Sequence, residues 1–333
     1  MVVRSAQCGT LLVALIVLAL TACADSTGSA SVSPPTPGST SVATTAAELV
    51  PHATTPPVDA ERPRQCSAMA ESWDVNGHEV LVRTPDATSL VPLVMALHGF
   101  KGTPAGLEYY SELTSAAEAG DAVVAYLAGG TALDLGFGWN SGSTRFATTE
   151  GDDVAYIAAV LDRLSTLPCV DTSDVTLVGE SNGGGMAIRA ACDPRLSARI
   201  NLLGLVNAAV DAGVLATCAG VDPPVSILAT AGLADRTVPV DGTLEPFLAA
   251  SDWFPRLATT LSGCGPAEVT EESISPTVVA LSPAGCRVCA SMLEVSDGGH
   301  TWPGSFAGTN DEAVGTLEYT AMLLTDQTRA TCR

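Results

Sequence analysis

Positive charge is scarce in this 333-residue chain. Lys101 is the only lysine, and 15 basic residues face 36 acidic ones for a formal charge of −21. That balance excludes nucleic acid as a partner, because phosphates need basic patches. It also excludes electrostatic attachment to an anionic membrane. Long apolar runs are missing too: the longest, Leu11 to Leu20, is short for a spanning helix. Histidine occurs four times only, at positions 52, 78, 98 and 300, so any general base has few candidates. No internal repeat stands out. Paired metal-binding cysteine motifs are absent as well. Cys286-Arg-Val-Cys289 is a single CxxC without a second pair or a nearby histidine, which leaves no metal site to propose. It does not open a helix after a strand, as a redox motif would.

What is present begins with an export signal. Arg4 precedes the apolar run, and Leu20-Thr21-Ala22-Cys23 closes it. This ending resembles the bacterial lipobox, in which the cysteine becomes the lipidated N-terminus. The resemblance implies lipidation at Cys23 and a cell-membrane anchor of more than one acyl chain. The competing reading is a plain secretory signal cut near Ala22 or Ala24. Residues 1–22 are therefore expected as signal peptide, 23–64 as a Ser/Thr/Pro-rich disordered tether, and 65–333 as the folded domain. Ten cysteines are present, and eight remain once Cys8 and Cys23 are set aside. An even set in an exported chain reads as disulfides.

From Cys66 onward, short apolar strands alternate with helical stretches. "HEVLVRTP", "PLVMALHGF", "AVVAYLAGG", "VTLVGES", "INLLGLVNAAV", "VSILATAGLAD" and "CASMLEVSDGGH" read as strands. "LEYYSELTSAAEAG", "GDDVAYIAAVLDRLSTLP" and "NGGGMAIRAAC" read as helices, as do "LEPFLAASDWFPRLATTLSGC", broken near Pro255, and "EAVGTLEYTAMLLTDQ". Asp152 and Asp153 mark a helix start and support a loop. The alternation predicts an α/β fold with a mostly parallel sheet covered by helices on both faces. Chemistry in such sheets sits at the carboxyl ends of the strands.

Three residues fall there. Gly179-Glu180-Ser181-Asn182-Gly183 fits G-x-S-x-G, a sharp strand-to-helix turn that lifts a serine hydroxyl off the sheet. The competing reading is an ordinary glycine turn. A serine needs a base, and His300 in "DGGHTWPG" follows the last strand in the right chain order. His98 reads as a structural loop residue. Asp235, after "VSILATAGLA", is the expected orienting acid. Asp211, Asp222 and Asp241 compete for that role, and Asp297 lies too close to His300. The backbone N–H groups of Phe100 and Asn182 are the expected oxyanion donors.

"LHGF", "GWNSG", "DDVAYI", "CVDTSDVTLVGESNGGGMA", "GLADRTVP" and "GGHTWPG" occur in the order seen in the poly(3-hydroxybutyrate) depolymerase and feruloyl esterase family. The resemblance runs from about Trp73 to the C-terminus. It implies the α/β-hydrolase fold and a cofactor-free serine esterase with Ser181, Asp235 and His300 as the triad. It further implies that Trp139, Asn140 and Trp302 line the substrate cleft, although Trp139 could instead fill a loop core. It pairs Cys192 with Cys218 and Cys264 with Cys286. Cys66, Cys169, Cys289 and Cys332 make the rest, with Cys332 expected opposite Cys66 or Cys169. Glu180 departs from the family, which often carries a small or apolar residue there. No long insertion reads as a lid. The reading is a secreted, lipid-anchored enzyme for carboxylic esters, polymeric or small. The alternatives are a dipeptidyl-peptidase-like hydrolase, an acyltransferase, and a surface-binding lipoprotein with a silent triad.

Overall fold

The computed structural model describes residues 65–133, 136–146, 151–218, 224–265 and 269–304, together with Tyr319, Met322 and Leu323. The signal peptide, Cys23 and the tether lie outside the described residues, as does most of the last predicted helix.

Strand β1 (Met69–Val75) and β2 (His78–Thr84) form a hairpin, followed by β3 (Val91–Leu97), α1 (Pro104–Ser111), α2 (Thr114–Ala119) and β4 (Val123–Leu127). A small hairpin of β5 (Thr131–Leu133) and β6 (Gly136–Gly138) precedes α3 (Asp153–Leu164). Next come β7 (Val170–Glu180), α4 (Asn182–Ala191), β8 (Leu202–Val206), α5 (Ala212–Ala216) and β9 (Ser226–Gly232). Helix α6 (Ala250–Leu257), β10 (Val269–Ser275), β11 (Val278–Pro283) and β12 (Ala290–Val295) complete the described elements.

Ten of these strands make one sheet in the order β1-β2-β4-β3-β7-β8-β9-β12-β11-β10. The middle, from β4 to β12, is parallel throughout. The two margins are antiparallel. The strands in the middle are apolar on both faces, and successive residues feed two separate cores. Leu93, Met95 and Leu97 of β3 pack with α3, α4 and α6, while Val94 and Ala96 pack with α1, α2, Trp302 and Tyr319. A doubly covered parallel sheet requires such strands. Helix α3 shows the sequence logic plainly. Asp152 accepts from the Ala155 N–H at 3.0 Å as N-cap, and Val154, Ile157, Val160, Leu161 and Leu164 are buried at helical spacing.

Three expectations need correction. The single helix expected over 107–120 is two, because Glu112 adopts φ +54° and turns Leu113 into the core. Helix α6 is not broken at Pro255 but runs through it into a π-turn over Ala258–Ser262. Ser251, whose carbonyl loses its partner at Pro255, is solvent-exposed, so water can replace the missing N–H. Finally, Cys66 pairs with Cys169 rather than with Cys332. An antiparallel bridge between Cys66 and Ala87 and the bond from Val91 N–H to Cys169 O bring the two cysteines together. Cys192–Cys218 and Cys264–Cys286 pair as the resemblance implied.

The Cys66–Cys169 bridge closes a loop with a sequence separation of 103. Replacing both cysteines by serine should lower unfolding stability by about 4 kcal/mol through the freed chain entropy. Urea unfolding of the double variant measures this, and an unchanged midpoint would contradict it.

Candidate active site

Strand β7 ends at Glu180 and α4 begins at Asn182, so Ser181 alone makes the turn. It does so at φ +51°, a region that side-chain-bearing residues rarely occupy. The turn is held from both ends. The Ser181 N–H donates to Val206 O at 2.9 Å, and its carbonyl accepts from Gly185 and Ala209 N–H groups at 3.1 and 2.9 Å. Glycines on either side make the turn sterically feasible. A Cβ at Gly179 would sit 2.2 Å from Gly183 O, and one at Gly183 would sit 2.3 Å from Leu97 O.

Asp235 and His300 come from the ends of β9 and β12. Asp235 Oδ1 accepts from the Thr237 and Val238 N–H groups at 2.7 and 2.9 Å, and its Oδ2 meets His300 Nδ1 at 2.6 Å. The aspartate side chain is 2% exposed and the imidazole 19%. An aspartate so fixed sets the imidazole tautomer, leaving Nε2 to exchange protons. The competing acids are otherwise engaged. Asp211 caps α5 and takes Ser143 Oγ and Thr144 at the strand ends, and Asp241 holds Thr243. Asp222 lies outside the described residues.

Ser181 and His300 line one cavity of about 570 Å³, with Gly99, Phe100, Lys101, Tyr110, Arg145, Phe146, Glu180, Val238 and Phe247 among its walls. No hydrogen bond joins the serine hydroxyl to the imidazole among the described residues. Serine–histidine bonds commonly tighten only with substrate in place. The loop at Gly99 and Phe100 runs against the serine: a Cβ on Gly99 would be 3.4 Å from Ser181 Cβ. Neither the Phe100 nor the Asn182 N–H meets an acceptor among the described residues.

His98 braces that loop. Its Nε2 accepts from Gly129 N–H at 3.0 Å, so Nδ1 carries the proton and donates to Gly99 O at 2.8 Å. Burial pushes its pKa down to about 4, which keeps it neutral. β6 pins the other side of the loop through Lys101 N–H to Phe137 O and Phe137 N–H to Gly102 O.

No protein-family model matches the chain. It is 30% identical to a putative esterase, NocK, of Nocardia uniformis over 64% of this chain and 66% of that one. It is 29% identical to feruloyl esterase C of Emericella nidulans over 49% and 54%, and 33% identical to a probable feruloyl esterase C of Aspergillus niger over 32% and 37%. The chain thus spans less than two thirds of the length of each of these relatives. The acetyl xylan esterase of Aspergillus awamori superposes with a TM-score of 0.53 at 16% identity, over 71% of this chain and 95% of that one. The chain is thus similar in sequence to feruloyl esterases and other esterases, and its fold is that of the α/β-hydrolases.

In this α/β-hydrolase the three residues expected to line the cleft do not. Trp139 and Trp302 are 0% and 1% exposed. Trp139 donates through Nε1 to His98 O at 2.9 Å, and its backbone is clamped by the Asn182 side chain at 2.8 and 3.1 Å. Trp302 packs edge-on against Tyr319. Asn140 hands its N–H to Asp153 Oδ2 at 2.7 Å and accepts Arg189 on its side-chain oxygen at 2.9 Å. All three secure loops behind the cavity. Asp153, 3% exposed, has its pKa raised by burial and supports the same loop. The side chains that do form the wall, those of Phe100, Phe146, Val238 and Phe247, converge from four separate stretches of the chain, a meeting that no local pattern announces.

Glu180 is the unexpected neighbour. It is 9% exposed, accepts a short hydrogen bond from the Tyr110 hydroxyl, and sits beside Ser181 in the cavity wall. Burial raises its pKa despite that bond. The folded state therefore favours the uncharged form. Its stabilising contribution is present below the ordinary carboxylate range and lost as pH rises through the raised folded value. Glu180→Gln keeps an acceptor for Tyr110 and cannot ionise. Its melting temperature relative to the parent should rise between about pH 4 and about pH 7. A pH-independent difference would contradict this.

Proposed function

We propose that this chain is an exported serine ester hydrolase acting through Ser181, Asp235 and His300. The observation that carries the reading is the Asp235–His300 pair at 2.6 Å, whose imidazole shares a cavity with a serine held at φ +51°. His300 takes the Ser181 proton as Oγ attacks the ester carbonyl. The Phe100 and Asn182 N–H groups take the negative charge that develops on the carbonyl oxygen, aided by the start of α4. The imidazolium returns its proton to the departing alcohol, and Ser181 is left acylated. Water, activated by the same imidazole, then releases the acid. Asp235 orients the ring and balances its charge throughout.

The acyl group we favour is an aromatic acid. The Phe100 ring lies tilted 4.9 Å from Phe146, and Phe146 lies 6.4 Å from Phe247, giving the cavity an aromatic wall. The esterase names of the relatives support the same class.

Export is supported by the disulfides, which persist in oxidising compartments. Among the described residues no helix is long and apolar enough to cross a membrane. We further propose that residues 1–22 are a signal peptide, that Cys23 is lipidated, and that residues 23–64 tether the catalytic domain, 65–333. This rests on the Leu11–Leu20 run and the lipobox-like ending. Cys23→Ala should abolish incorporation of labelled fatty acid and shift the protein from the membrane to the soluble fraction.

A panel of aryl acetate, butyrate, hydroxycinnamate and hydroxyalkanoate oligomers tests the activity. The highest kcat/KM is expected on hydroxycinnamate esters. Ser181→Ala should lose at least about 10³-fold of it and all labelling by an organophosphate. A folded parent that is neither labelled nor active would favour the surface-binding alternative. Amide turnover, or product formed only with a sugar acceptor, would point to the peptidase or acyltransferase alternative.

A further inference from the structure

The loop that carries His300 is tied to the end of β9 by backbone at Gly298, whose carbonyl accepts from the Ala234 N–H at 2.9 Å, two residues short of the histidine. Gly298 and Gly299 precede the histidine and bring no side chains to anchor it. A residue on another strand does so. Asn207 follows β8 at φ +43°, a conformation asparagine tolerates better than most residues. It is 6% exposed. Its N–H donates to Thr230 O in β9 at 3.0 Å. Its side-chain Oδ1 accepts from Gly232 N–H at 2.9 Å, three residues before Asp235. Its Nδ2 donates to Gly299 O at 3.2 Å and Thr301 O at 2.7 Å, the carbonyls on either side of His300.

We propose that Asn207 is a positioning residue: one buried amide that locks the backbone flanking His300 to the strand end that presents Asp235. The proposal rests on the serine hydrolase reading above. The orientation of the amide is dictated by its partners, one donor facing its oxygen and two carbonyls facing its nitrogen. No other residue type meets the same demands. An aspartate would set a carboxylate against two carbonyl oxygens, a glutamine would be too long, and an alanine would be strained at positive φ. Asn207 does not line the cavity, so it has no direct contact with a substrate there. Its effect passes through the spacing between His300 and Asp235. Small losses of alignment at a reacting group cost rate rather than binding.

Two variants separate the side chain from the backbone. Asn207→Gly keeps the left-handed conformation and removes the amide. Asn207→Asp keeps the size and the acceptor for Gly232 but removes both donors. In each, kcat for an aryl ester should fall roughly 10- to 100-fold with KM changed by less than about twofold. A second readout needs no substrate. The Nδ1–H proton of His300, identified by its loss in His300→Ala, should appear in the parent as a hydrogen-bonded proton resonance far downfield. It should broaden or shift in both variants. The Nδ1–H of His98, buried and bonded to Gly99 O, serves as the internal reference for an intact fold. An unchanged His300 resonance in a variant that keeps the His98 signal would overturn the proposal, whatever happens to kcat. Full kcat in either variant would overturn it as well. The serine hydrolase reading fails by a different result, a parent whose esterase activity survives Ser181→Ala, and the resonance still decides the role of Asn207 in that case.

Discussion

The whole site depends on one close approach of main chain to main chain. Where β7 turns into α4, the backbone at Gly183 presses on the carbonyl of Leu97, leaving no room for even a methyl group. The β3–β7 ladder, with Leu97 opposite Gly179, sets the two strand ends side by side, and the contact seats the start of α4 on the end of β3. The Gly99–Phe100 loop then lies against Ser181 in the cavity wall. The turn into α4 also leaves Ser181 in a conformation whose cost, on the order of 1–3 kcal/mol, must be met by the surrounding bonds. The three hydrogen bonds of its own peptide groups, to Val206, Gly185 and Ala209, spread that cost over β8, α4 and the loop beyond β8.

Two carboxyl groups near the serine have been given opposite surroundings. Asp235 receives two backbone N–H groups on one oxygen and an imidazole on the other. Glu180 is buried with a phenol as its side-chain partner, and that burial disfavours charge. In the proposed mechanism a second full negative charge beside the serine would oppose the oxyanion and compete with Asp235 for the imidazolium. Burial of Glu180 limits that conflict, so a family position usually filled by a small or apolar side chain can hold a glutamate here.

Much of this could be read in the sequence, and the parts that could not have a common cause. The interior strands are apolar on both faces, and their runs, such as "PLVMALH" and "VTLVGES", are unmistakable. So are the residues whose chemistry demands a particular backbone: Ser181 between glycines, Asp235 and His300 just past strand ends. The edge strands β1 and β10 escaped because they bury hardly any residue, which leaves no alternation to detect. Trp139 and Trp302 misled because a large aromatic near a site can fill a pocket wall or a loop core equally well by composition. Only the partners of Trp139 Nε1 and the packing of Trp302 against Tyr319 decide it. Asn207 was invisible for the reverse reason. Its importance lies in four hydrogen bonds to strands and loops up to 94 positions away.

The Cys66–Cys169 bridge has a mechanical meaning. Cys169 is followed directly by β7, the strand that leads through the centre of the sheet to Ser181. A pull on the chain ahead of Cys66 is therefore handed across two sulfur atoms to the best-supported strand in the molecule. The β1–β2 hairpin, which lies between the two cysteines in sequence, is taken out of the line of force.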